Sequence, residues 1–408
     1  MNRLVIINDA SVARGGATGL AVTLANSLSD AGWDVTFFSG ASDGRGYLND
    51  NVDLVELSGK HLLDRSKLMS AFVGLFNYSA YRALKKWIDE NDNPNIVYHV
   101  HGWSKYLSPS IFLSLKNVWE RVFIHAHDFF LACPNGGFVN YQKMEPCRFR
   151  ALSWKCVATN CDKRSYAQKL WRVTRSVVLR LLLTRRYLKG KIIVLHKGMF
   201  PYFKQSNFSE LDLVEVVNPS TSFTTHRIQS EKNSKIFYIG RLDYEKGVTN
   251  LAVAAKQAGA DLEFIGEGPE REELSQKFPE FPIHGWLKPD DISRLIVDAR
   301  ALVVPSRYPE PFGLVIAEAI KSGIPVVVSE DAILASEILE KNLGFVYSAK
   351  GDPQLHQVLE KVLSQSTKKV SEECFREGGV IFPGVNTWLN ELTERYRASL
   401  SGAEVVKV

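Results

Sequence analysis

The segment RYPEPFGLVIAEAIKSGIPVVVS, residues 307–329, places two carboxylates, Glu310 and Glu318, eight positions apart in an otherwise apolar run. Pro309 and Pro311 flank Glu310. A residue preceding proline is pushed out of the α region, so Glu310 is expected in an extended loop. A helix is expected from Phe312-Gly313 onward. Gly313 carries no side chain to shield the free N–H groups of its first turn, and these, with the helix dipole, suit an anion. Glu318 then sits two turns in, roughly 8–9 Å along the axis at about 1.5 Å per residue. Its neighbours Leu314, Val315, Ile316, Ala317, Ala319 and Ile320 are apolar on all sides. That marks a buried helix, in which a carboxylate needs partners. Ribose hydroxyls at Glu318, a diphosphate at the glycine and sugar hydroxyls at Glu310 would supply them. The alternative is a solvated Glu310 and a Glu318 paired to an internal arginine.

Two further glycine turns follow strand-like runs. In IGRLDYEKG (239–247), Arg241 and Lys246 stand between the strand end at Gly240 and Gly247. Arginine offers a bidentate fork to a diphosphate and lysine a point charge; a solvated loop is the alternative. In NDASVARGGATGLAVTLANSL, Gly15-Gly16 open a helix after the first strand, but the spacing is not G-x-G-x-x-G and no Walker lysine follows. NAD and ATP are therefore poor candidates.

Thirteen short runs supply the elements that must position these groups. They are 3–8, 34–39, 52–57, 95–100, 121–126, 191–196 and 212–218, then 235–240, 261–266, 281–285, 301–306, 325–329 and 344–348. Many are continuously apolar, as in strands covered on both faces, and helical patterns alternate with them. The reading is α/β, two doubly wound domains. The expected division is 1–218, 219–385, and an amphipathic helix and tail over 386–408.

At 408 residues, with 45% apolar and 23% charged residues, the composition is that of a soluble globular protein. A net charge of +5 fits anionic ligands or a membrane surface and does not imply nucleic acid. The first apolar run, LVII, reaches Asn8-Asp9 too soon for a signal peptide. VVLRLLLTRRYLKGK (177–191) is broken by Arg180 and too short to span a bilayer. The expected location is cytoplasmic.

Of five cysteines, Cys133, Cys147, Cys156 and Cys161 fall close together, spaced C-x13-C-x8-C-x4-C. They lack the tight pairs of zinc ribbons, leaving a structural zinc or separate buried thiols. Downstream, Lys163, Arg164, Lys169, Arg172, Arg175, Arg180, Arg185, Arg186, Lys189 and Lys191 interleave with apolar residues. Such a basic amphipathic helix suits an anionic lipid surface; a solvated face is the alternative.

GGATGLAVTLANSLSDAGWDVTFFSG, VVNPS, IGRLDYEKG, FIGEGPER and the stretch from HGWLKPDD to PVVVSE occur in that order. Together they resemble the retaining glycosyltransferases of family 4, including bacterial enzymes of surface-polysaccharide, lipopolysaccharide O-antigen and capsule assembly. The resemblance implies a GT-B fold: two Rossmann-like domains facing across a cleft, the C-terminal helix returning to the N-terminal domain. It implies a UDP- or GDP-type sugar donor bound by Arg241, Lys246, Glu310, Phe312, Gly313, Leu314 and Glu318, with Gly16 opposite. His101, His127 and Asp128 would lie on the acceptor side, His127 as an active-site histidine beside Glu310, Arg241 and Lys246. The acceptor would be a glycan or a polyprenyl-diphosphate-linked glycan, reached by a peripheral enzyme at the inner face of the membrane. Retention would proceed by front-face displacement. No Asp-x-Asp occurs, so no cofactor is expected for catalysis. One departure is EDAILASEIL, which keeps Glu337 but lacks the glycines that relatives carry before it. Alternatives are a GT-B nucleotide-sugar epimerase and a non-catalytic nucleotide-sugar or glycan-binding member.

Overall fold

The structure is a computed structural model that describes residues 2–12, 15–59, 61–64, 66–183, 191–350 and 354–401. It divides into two compact units: Met1–Gly137 with Arg148–Val216 and Asn386–Val408, and Phe138–Cys147 with Val217–Val385. The break at Val216 falls two residues before the expected one. Phe138–Cys147 groups with the second unit, where Glu145 pairs with Lys350 at 2.7 Å.

The first unit carries β1 (Arg3–Asn8), β2 (Asp34–Ala41), β3 (Asp53–Gly59), β4 (Ile96–Val100) and β5 (Val122–Ala126). The short strands β6 (Val139–Asn140) and β7 (Glu145–Pro146) form an antiparallel hairpin, and β8 (Ile192–Val194) and β9 (Leu213–Glu215) complete the first sheet. Its order is β3-β2-β1-β4-β5-β8-β9, with every pairing parallel. The second unit holds β10 (Lys235–Ile239), β11 (Asp261–Ile265), β12 (Ala299–Val304), β13 (Val326–Ser329) and β14 (Gly344–Tyr347). They form a second parallel sheet, ordered β11-β10-β12-β13-β14.

Twelve of the thirteen expected runs are strands. FPIHG (281–285) makes only isolated bridges, from Ile283 to Phe264 and from Gly285 to Gly266. Pro282 has no N–H to give, and its carbonyl accepts from Phe264 at 2.9 Å. The hairpin β6–β7 escapes a reading by apolar runs, because two-residue strands have no period to detect.

The sheet orders fix where ligands can approach. In each sheet the chain leaves one strand to either side: β1 between β2 and β4, β10 between β11 and β12. Loops after such neighbouring strands diverge and leave a crevice at the carboxyl ends. In the second unit these loops are 240–247 and 305–313, in the first 101–110 and, as far as it is described, 9–12.

The helix Val385–Ser401 buries Trp388, Leu392 and Tyr396 among Leu4, Ile6, Phe37, Val97, Phe123 and Ile193, the core of the first unit. Phe123 meets the Tyr396 ring edge-on at 5.3 Å between centroids. Trp388→Ala is expected to lower stability by about 3–5 kcal/mol, the usual cost of emptying a buried aromatic site. Urea unfolding followed on the first unit's signals checks this; a change below 1 kcal/mol would show that the helix does not hold that core.

Candidate functional site

In the second unit, the two crevice loops are locked together by a buried ion pair. The Lys246 ammonium donates to Glu310 Oε1 at 2.5 Å, and the Ser306 hydroxyl donates to Glu310 Oε2. Both side chains of the pair are 15% exposed. Burial alone would raise the Glu310 carboxyl, but Lys246, Ser306 and, more distantly, Arg241 hold it below its ordinary range. Lys246 is correspondingly held charged: Glu310 and Tyr308 outweigh the effect of burial, and the ammonium lies 5.1 Å from the Tyr308 ring centroid.

The approach of the loops requires Gly247. It adopts φ 72°, and a Cβ there would stand 2.3 Å from the Pro305 carbonyl oxygen. Arg307 N–H donates to the Glu245 carbonyl at 3.0 Å across the same junction. Arg241 differs from Lys246: its side chain is 71% exposed and touches Asp243 at 2.6 Å, so it can turn to an incoming anion.

Gly313, at φ 71°, opens the helix Leu314–Lys321. This helix is not buried all round, contrary to the apolar reading. Leu314 and Val315, four and three residues before Glu318 and so its neighbours along one stripe, remain partly exposed with it, while Ile316, Ala317, Ala319 and Ile320 are buried. Nor is Glu318 paired to an internal arginine: among the described residues its carboxylate has no hydrogen bond or ion pair. Burial pushes its pKa up to about 7. Phe312 is buried edge-on against Phe382, with centroids 5.7 Å apart, so only its backbone can face a ligand. Glu337 lies in the first turn of the helix Ala335–Glu340.

A cavity of about 350 Å³ opens beside this junction, at the carboxyl ends of β12, β13 and β14. Ser306, Arg307, Ser329 and Tyr347 line it together with Asn250 and Gln257.

In the first unit, Asp9 stitches the crevice after β1 to the loop after β4. Its carboxylate accepts the backbone N–H groups of Lys105, Tyr106 and Leu107 at 2.9, 2.8 and 3.1 Å. Gly16 begins the helix Gly16–Asp30 beside it in the chain. His101 Nδ1 lies 3.0 Å from His127 Nε2, and both line a small cavity of about 30 Å³ with His125 and Asp128. Desolvation by the surrounding rings lowers the pKa of the partly exposed His127 to about 3 and raises that of Asp128 to about 6, an effect that the solvent exposure of Asp128 reduces. The sequence reading passed over Ser306, Tyr308, Asp9, His99 and His125. The alternations HVH (99–101) and HAH (125–127) at two strand ends were the available signal for the last two.

Cys133, Cys156 and Cys161 are buried in the first unit, while Cys147 belongs to the second. The Lys169 ammonium stands among the first three. It donates to Cys156 Sγ at 3.4 Å and is held charged by the Cys156, Cys161 and Cys133 thiols against the effect of burial. The helix Tyr166–Leu182 thus turns part of its basic face inward, unlike the expected lipid-facing arrangement. Lys169 and Arg175 are buried, and Arg172 pairs with Asp162 at 2.7 Å. Arg175 donates to the Ser104 carbonyl and lies over the Trp103 and Trp171 rings. Buried carbonyls, rings and a carboxylate take these cations in, and that pull is invisible to charge counting. Leu170, Val177 and Leu181 face outward instead. Arg185, Arg186 and Lys189 lie outside the described residues. Among the described residues no helix is long and apolar enough to cross a membrane.

Residues 223–377 match the family described as glycosyl transferases group 1. Sulfoquinovosyl transferase SQD2 of Arabidopsis thaliana is 36% identical over 97 residues, 23% of this chain and 19% of its own length. An uncharacterized glycosyltransferase of Methanocaldococcus jannaschii is 28% identical over 186 residues, 43% and 46% of the two chains. An uncharacterized 42.6 kDa protein in the cps region of Klebsiella pneumoniae is 23% identical over 275 residues, 65% and 64%. The chain thus spans less than two thirds of each of these relatives. Among solved structures, sucrose-phosphate synthase from Thermosynechococcus elongatus superposes with a TM-score of 0.70 at 17% identity, over 99% of this chain and 100% of that one. Anabaena HepE in complex with UDP superposes at 0.67 with 15% identity, over 98% and 100%. The fold is GT-B.

Proposed function

We propose that this chain, whose residues 223–377 carry a glycosyl transferases group 1 domain within a GT-B fold, is a retaining glycosyltransferase of the hexosyl class. It moves a sugar from a UDP- or GDP-type donor to a glycan or lipid-linked glycan acceptor in surface-polysaccharide or O-antigen assembly. The observation that carries this reading is the Lys246–Glu310–Ser306 junction at the crevice between β10 and β12. It stands beside an exposed Arg241, a glycine-opened helix and a carboxylate that has no partner among the described residues.

These parts divide the work by their chemistry. Arg241, the Lys246 ammonium and the first-turn N–H groups after Gly313 face the diphosphate, with Leu314 at the same turn. Glu318 accepts the ribose hydroxyls. Glu310, held ionised by Lys246, accepts hydroxyls of the donor sugar on the lone pairs its two contacts leave free.

In the reaction the bond from the anomeric carbon to the leaving phosphate oxygen breaks. The acceptor oxygen bonds to that carbon from the same face, and its proton passes to the leaving phosphate. Charge growing on the diphosphate is where preorganised cations contribute most. His127, neutral and partly exposed beside the buried His101, orients acceptor hydroxyls, with the exposed Asp128 adjacent. The exposed Leu170, Val177 and Leu181, with Lys163 and Arg164 nearby, favour peripheral contact of the enzyme with the inner leaflet where a lipid-linked acceptor resides. For the cysteines, the proposal of a structural zinc competes with the Lys169–thiol contacts.

The test is a thermal-shift panel with UDP, GDP, dTDP, CMP and NAD, repeated on Arg241→Ala. A ligand at about 100 times its dissociation constant adds roughly 2.7 kcal/mol to the folded state. The expected result is a shift with one nucleoside diphosphate that Arg241→Ala loses. No shift with any of the five would leave a non-catalytic member as the better reading.

A further inference from the structure

Four histidines form a ladder on one face of the first sheet. Side chains two apart on a strand share a face, so β4 presents His99 and the following His101 together, and β5 does the same for His125 and His127. The parallel register sets Val100 beside Ile124, which brings the two pairs together. The His99 and His125 rings lie 5.3 Å apart at 8°, and His99 and His101 4.2 Å apart at 46°.

Three of the four, His99, His101 and His125, are buried, and buried imidazoles are costly unless their nitrogens are satisfied. His99 Nδ1 is held at 2.6 Å by the Tyr396 hydroxyl and His101 Nδ1 at 3.0 Å by His127 Nε2. The opposite nitrogens, Nε2 of His99 and Nε2 of His101, are buried with no hydrogen-bond partner among the described residues. One ring nitrogen from each of His99, His101 and His125 falls within 4.8 Å of the others.

We infer that His99, His101 and His125 form a three-imidazole site for a divalent transition-metal ion of the zinc class. Three imidazoles without carboxylate or carbonyl ligands favour zinc, copper or nickel over magnesium or calcium. The small cavity lined by His101, His125 and Asp128 leaves room for a water as the fourth ligand, with a carboxylate nearby to offset charge. Tyr396 supplies the outer contact that ligating histidines commonly make through their second nitrogen. The inference rests on the first unit alone and is independent of the donor-site reading.

The experiment is titration of the chelator-stripped full chain with Zn²⁺ and with Co²⁺, followed by calorimetry and by the visible and near-ultraviolet Co²⁺ spectrum. One tight equivalent is expected, with the ligand-field bands of nitrogen and oxygen coordination and no thiolate charge-transfer band. His101→Phe and His125→Gln should lose that equivalent, Tyr396→Phe should weaken it by about 10-fold or more, and Cys156→Ser should leave it unchanged. Because a histidine variant could misfold, circular dichroism accompanies each, and the wild-type Co²⁺ spectrum decides independently. No binding by the wild-type chain would overturn the assignment. So would a thiolate band, which would move the metal to the cysteines, or undiminished binding by folded His101→Phe.

Discussion

Lys246→Met is expected to reduce kcat/KM by about 10²–10³-fold, the range for losing one preorganised charge-stabilising group. It should also cost about 2–4 kcal/mol of stability. The variant removes the only cation bonded to Glu310 among the described residues, leaving a carboxylate 15% exposed with the Ser306 hydroxyl as its remaining contact there. Breaking one partner of a buried pair costs about 3–5 kcal/mol, and the residual exposure of this pair lowers that figure. The double variant Lys246→Met/Glu310→Gln separates the two roles. It should recover most of the lost stability, since no charge is stranded, and none of the activity. Urea unfolding and initial rates with the nucleotide sugar found in the ligand panel measure both. Activity of Lys246→Met within about threefold of wild type would remove the pair from the site.

Glu318→Gln should change nucleotide affinity and pH dependence together. With a folded pKa of about 7 against an ordinary 4.5, Glu318 binds its proton more tightly in the folded chain. Its contribution to stability is therefore full below about pH 4.5 and is lost as pH rises through 7. Glu318→Gln should remove that loss and stabilise the free protein by about 1–3 kcal/mol at pH 8, discounted for the partial exposure of the group. The ionised carboxylate is the better acceptor for ribose hydroxyls, so nucleotide affinity in wild type should rise with pH between 6 and 8. Binding in that range should release a proton, read by calorimetry in buffers of differing ionisation enthalpy. The variant should bind about 10–100-fold more weakly, as loss of hydrogen bonds to a charged acceptor implies, with no proton released. Unchanged affinity in Glu318→Gln would exclude this residue from the ribose.

The strands of the two parallel sheets, their alternation with helices and the chemical character of the loops after them were legible in the sequence, whereas the hairpin β6–β7 and the failure of 281–285 to form a strand were not. The legible features depend on short-range rules: apolar runs mark strands covered on both faces, proline fixes its predecessor, and glycine marks the turns. Arg241, Lys246, Glu310 and Glu318 could be singled out on that basis. Tertiary structure alone decided which of them meet. Lys246 and Glu310 are 64 residues apart, and they join because β10 and β12 are neighbours, a strand order that no local pattern encodes. The same holds for the histidines, where strand pairing turns two unremarked alternations into one cluster. It also holds for Lys169 and Arg175, drawn inward from a face that charge counting would assign to water. Periodicity reports which side of an element is apolar, whereas the partner awaiting a polar group is set by contacts distant in the chain.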